Sequence, residues 1–186
     1  MRLKQIAAVC AKLKRAILCQ TFDENEHCEQ WIGDGAALYP AFDIPPLDEE
    51  SVFSVFDIPA EARKKWMVRV DDGNGYPFSL KDSDPSDRLL DGFGVSVGFG
   101  GITFEAFKTR DEKPLFINAR YLKPIAHLMD ETAFYERDAG EERVIVAKTG
   151  LMVSAIIMPK DPTRDANFVR QLSELSTLCV RERNGG

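Results

Sequence analysis

"LFINARYLKPIAHLMD", residues 115–130, is the stretch on which the reading of this chain turns. An apolar, strand-like run, Leu115-Phe116-Ile117, enters Asn118, and the spacing beyond it predicts a helix over 119–131. Leu122, Ile125 and Met129 recur on one side of that helix, while Arg120, Lys123 and His127 recur on the other. Burying the first set presents the second to solvent. Pro124 lies inside the segment and removes a backbone donor, so a kink or a late start is expected.

The N-terminus repeats this division. Residues 2–18 carry an apolar stripe of Leu3, Ile6, Cys10, Leu13 and Ile17. At roughly 100° per residue, Lys4, Lys12 and Arg15 gather on the opposite side. Lys4, Lys12 and Lys14 interrupt any signal-peptide core, so the segment reads as an amphipathic helix. Two helices with cationic faces need a reason in a chain of 186 residues whose net charge is −6. That charge argues against wholesale coating by nucleic acid. It leaves room for a local basic surface, because phosphate binding depends on where the cations sit.

The length suits one domain or two small ones, with a real core and no need of metal or disulfide staples. No run of about 18 apolar residues suggests a membrane span. Cys10, Cys19, Cys28 and Cys179 show no paired spacing and read as free thiols of a cytoplasmic protein.

Between the two helices, residues 28–40 read as two strands around a Gly33-Asp34-Gly35 turn. "FDIP" occurs at 42–45 and again at 56–59, each an apolar anchor followed by a Pro that ends a strand or starts a helix. A short helix over 59–65 and a strand at "WMVRV" follow. Residues 71–92, rich in Asp, Gly, Ser and Pro, read as a long mobile loop. "FGVSVGFGGITFEAF" reads as strand, glycine bend, strand, and "KPLFI" as another strand. "RVIVAKTGLMVSAIIMP" is a hairpin across Thr149-Gly150. Pro162 opens a last helix with a stripe of Phe168 or Val169, Leu172, Leu175, and Leu178 or Cys179.

The expected architecture is α+β, an antiparallel sheet with two amphipathic helices side by side on one face, plus a C-terminal helix. Residues 1–160 form one domain with an insertion over about 41–92, residues 161–183 the last helix, and 184–186 a tail.

The motifs point away from catalysis. "GFGVSVGFGG" lacks the Lys-Ser/Thr ending of a phosphate loop and the fingerprint of a dinucleotide fold, so it reads as a structural bend. His27 and Cys28, with Cys19 nearby, fit no standard zinc spacing. Acidic runs such as Asp48-Glu49-Glu50 are solvated charge. No nucleophile, base and oxyanion donor assemble, so an enzyme is not expected, and neither metal nor organic cofactor is implied.

The stretch 115–128 resembles the strand-to-helix entry in the last domain of bacterial DNA polymerase sliding clamps. The matching positions are Ile117, Asn118, Tyr121 and Leu122. "SAIIMPK" resembles the clamp's closing strand at Ile156, Ile157, Met158 and Pro159, and "IGDGAALY" is more loosely similar to the first half of a clamp domain. The resemblance is good over 105–160, weak over 1–104 and absent after Lys160.

It implies a DNA-clamp-like fold whose free helix faces line a channel for duplex DNA. Lys4, Lys12, Arg15, Arg120, Lys123 and His127 would then meet phosphates, His127 only when protonated. It also implies an apolar cleft at Met158 and Pro159 for a peptide of a replication or repair partner, and a homo-oligomer. The chain has room for one such domain, whereas a processive ring needs several. The alternative is a protein-interaction module of the same fold that does not touch DNA, of a kind a phage or mobile element would encode.

Overall fold

The computed structural model describes residues 3–22, 24, 27–42, 44–73, 75–160 and 165–185. α1 (Leu3–Leu13) leads into β1 (Arg15–Phe22), β2 (Cys28–Gly33) and β3 (Ala37–Pro40). Then come α2 (Glu49–Val55), α3 (Ala60–Arg63), β4 (Met67–Asp71), β5 (Arg88–Leu89), β6 (Asp91–Phe99), β7 (Ile102–Lys108) and β8 (Pro114–Asn118). A 3₁₀ helix (Ala119–Glu131) precedes β9 (Thr132–Ala139), β10 (Glu142–Thr149) and β11 (Met152–Ile157), and α4 (Ala166–Gly185) follows. Pro162, expected to open that last helix, lies outside the described residues.

The large sheet runs β4-β1-β2-β3-β11-β10-β9-β5. Its six central strands read the same from either end. Each half is a helix followed by a three-stranded meander, α1 with β1–β3 and the 3₁₀ helix with β9–β11, and β3 meets β11 antiparallel. The two helices pack against each other in one cluster, where Ile6, Val9 and Cys10 join Tyr121, Leu122 and Ile125. They therefore lie side by side on one face, as their matching stripes predict. The sheet is mixed rather than antiparallel, because β4 joins β1 in parallel. The chain reaches β4 only after crossing the layer that holds α2 and α3, and such a crossover returns it in the same direction. A second sheet, β6-β7-β8, stands beside the first.

Alternation along the strands divides the core. Leu18, Ile32, Tyr39, Ile145 and Ile157 face the helices, while Cys19, Trp31, Leu38, Val146 and Ile156 face the opposite side. That second face is covered by Tyr76, Phe78 and Leu80 from the segment expected to be a mobile loop. The segment follows a fixed course because Arg137, on β9, is wholly buried and donates to Asp87 and to the carbonyls of Ser79 and Lys81.

Two local expectations are corrected. The first helix ends at Leu13 instead of 18, with Lys14 in the left-handed region at φ 50°. Residues 16–19, Ala-Ile-Leu-Cys, are buried on alternate faces of an interior strand. Their apolar run had fitted a helical stripe because a continuous run fits either period. Residues 119–131 wind as a 3₁₀ rather than an α-helix. Pro124, at the centre, supplies no N–H and its ring opposes the carbonyl four residues back, which disfavours α winding. At three residues per turn, Tyr121, Leu122, Pro124 and Ile125 are buried while Lys123 and Ala126 stand outside.

Candidate nucleic-acid interface

The two-helix face is built from small and cationic side chains. Lys4, Ala8, Ala11 and Lys12 are exposed on α1, and Lys123, Ala126 and His127 on the 3₁₀ helix beside it. The alanines between the cations keep this face low and open. Asp130 and Glu131, also exposed, close the far end of the 3₁₀ helix with negative charge.

The other two cations of the expected set point elsewhere. Arg15 begins β1 and donates through Nε to the carbonyl of Asp34. Arg120 donates through Nη2 to Asp34 Oδ2 at 3.1 Å and to the Tyr121 hydroxyl, with its guanidinium 4.5 Å from the Tyr121 ring centre. Asp34 is fully buried in the β2–β3 turn, where Oδ1 also accepts from the backbone of Ala36 and Ala37. The turn needs Gly33, since a Cβ there would meet the Ala37 carbonyl oxygen at 1.6 Å. Tyr39 donates to the Tyr121 carbonyl at 2.8 Å, and burial, with Asp34 nearby, pushes its hydroxyl well above the usual range. Arg120 thus ties the turn of the first meander to the helix of the second, while Arg15 braces the same turn against β1. Sequence reasoning missed this cluster because its members lie 86 residues apart.

An Arg120→Ala substitution is therefore expected to destabilise the fold by about 1–3 kcal/mol, the cost of leaving a buried carboxylate under-paired. Urea unfolding checks this. An unchanged midpoint would free Arg120 for a surface role.

His127 borders a hollow of about 310 Å³ whose lining includes Ile6, Tyr39, Phe42, Pro124 and Met152. Met158 lines another, of about 200 Å³, between Leu38, Ile156 and the overlying Tyr76 and Phe78. Pro159, next in the chain, is half-buried. So Met158 does sit at an apolar hollow, and part of its wall comes from the segment that straps the sheet.

Other chemistry is sparse. Burial raises the thiols of Cys10 and Cys19 to about 12 and about 11, so neither is a ready nucleophile at neutral pH. Among the described residues no group of three or more His, Cys, Asp and Glu is placed to hold a metal ion, and no helix is long and apolar enough to cross a membrane. Comparison with protein-family models, with curated proteins and with solved structures finds no match to this chain.

Proposed function

We propose that this chain is a non-enzymatic, clamp-like accessory protein that rests its two-helix face on duplex DNA without reading base sequence. One observation carries this. Two helix–meander units join antiparallel through β3 and β11, which brings α1 and the 3₁₀ helix side by side with Lys4, Lys12 and Lys123 outward. Lysines on a face of small residues contact phosphates as point charges and carry no sequence information.

The insertion bears on assembly. β4 pairs with β1 and β5 pairs with β9, so both edges of the six-stranded unit are occupied from within the chain. The edges of the sheet are therefore β4 on one side and the short β5 on the other, and a single domain offers few contacts to DNA.

Binding is expected to be micromolar or weaker at low salt, the non-specific range, and to fall steeply as salt rises. Lys4→Ala, Lys12→Ala and Lys123→Ala together should lower affinity and flatten the dependence of log K on log salt by about 2–3 units, since each phosphate contact adds about 0.9. A fluorescence-anisotropy titration with duplex DNA measures both. Absence of binding at low salt, from protein of native circular dichroism, defeats the DNA reading. It leaves a protein-interaction module, which the apolar hollow at Met158 favours as the seat for a partner peptide.

A further inference from the structure

α4 outruns the surface it packs on. Asp165 caps it through the Phe168 amide at 3.1 Å, and Phe168 is 2 % exposed. The Phe168 ring sits 5.0 Å from Phe99, 5.8 Å from Phe104 and 5.3 Å from Phe116, and Leu172 joins the same cluster. The stripe that docks Phe168 and Leu172 continues at spacings of three and four to Leu175 and Cys179. There the underlying sheet has ended. Every residue from 173 to 183 is exposed, with Leu175 at 58 % and Leu178 at 51 %. A free-standing helix of about three turns is marginal in water, and an exposed apolar row on it marks a contact surface.

The charges identify the occupant. In a chain of net charge −6, α4 and its cap are locally neutral: Asp165, Glu174 and Glu182 balance Arg170, Arg181 and Arg183. Two acidic molecules can approach there without repulsion. The order is also self-complementary. Glu174 precedes Leu175 and Leu178, Arg181 follows them, and a seven-residue separation puts both charges on nearly one flank of the helix. Laid antiparallel on a second α4, Glu174 of each copy faces Arg181 of the other, and the helix dipoles oppose.

We propose that two copies of this chain associate through antiparallel packing of the α4 overhangs, residues 173–183, about a two-fold axis near Leu175 and Leu178. The interface is short, so the association is weak and reversible. It stands independently of DNA binding.

Sedimentation equilibrium of the full chain, in reducing buffer so that Cys179 cannot cross-link, tests it from about 1 to 300 µM. The mass should rise from 20.9 kDa toward twice that value. Leu175→Asp with Leu178→Asp should hold the chain monomeric without changing its melting transition, because both side chains lie outside the core. Glu174→Arg and Arg181→Glu should each weaken association by about tenfold, the contact being made twice by symmetry, and the two together should restore it. A chain monomeric at about 300 µM overturns the proposal and gives the helix to a different partner. So does an association indifferent to the leucine pair, or a double charge reversal no tighter than either single one.

Discussion

Arg137→Ala should lower unfolding free energy by about 3–5 kcal/mol, the usual cost of removing one partner from a buried ion pair. Arg137 is fully buried, and its guanidinium grips both oxygens of Asp87 at 2.7 and 2.8 Å. It also donates to the carbonyls of Ser79 and Lys81 at 2.7 and 2.9 Å. Truncation would strand those carbonyls and loosen the strap over the far face of the sheet. Arg137→Lys should recover only part of the loss, since an ammonium cannot reproduce the planar fork. Urea unfolding and limited proteolysis over residues 79–87 would check both. Unchanged stability with an uncut strap would mean that the segment is held by Tyr76, Phe78 and Leu80 alone.

The same pair makes the fold acid-sensitive. Burial would raise the Asp87 carboxyl, but hydrogen bonds and charge from Arg137 and Lys148 outweigh it and hold the group below its ordinary range. A carboxyl depressed in the folded chain stabilises it above the unfolded value, and that contribution fades as pH falls through the folded one. The Arg137→Ala protein should therefore lose less stability on acidification than the wild type.

Ile157→Ala should cost about 2–5 kcal/mol, as for other buried aliphatic truncations. Ile157 is wholly buried in the helix-facing core, and its backbone pairs with Ile145 on one side and Ala37 on the other. It sits at the joint between the two meanders, so the cavity would open where neither half can relax alone. Calorimetric melting would measure it. A midpoint unmoved by the substitution would show that this joint is not packed as described.

Much of the packing was legible in the sequence, as was the pairing across tight turns, but not the segment that covers the far face through Tyr76, Phe78 and Leu80, which read as a mobile loop. The strands around Gly33 and Gly35, the hairpin across Thr149 and Gly150, and the glycine bend between β6 and β7 follow from turn chemistry, which acts over a few residues. Leu122 and Ile125 are buried as their helical spacing requires, and Ile156 and Ile157 as a continuous apolar strand requires. β9 was not legible. Its charged residues include Glu136 and Arg137, which are buried only because other elements supply their partners.

The cationic faces show the same boundary. Helical spacing alone set Lys4, Lys12 and Lys123 on outer faces, and they are exposed there. Spacing could not reveal that Arg15 belongs to a strand, or that a buried Asp34 lies within reach of Arg120. Which residues share a face follows from the period of their own backbone, so spacing determines it wherever only one period fits. Whether a charge is free for a ligand depends on what the fold brings beside it, and only the tertiary structure decides that.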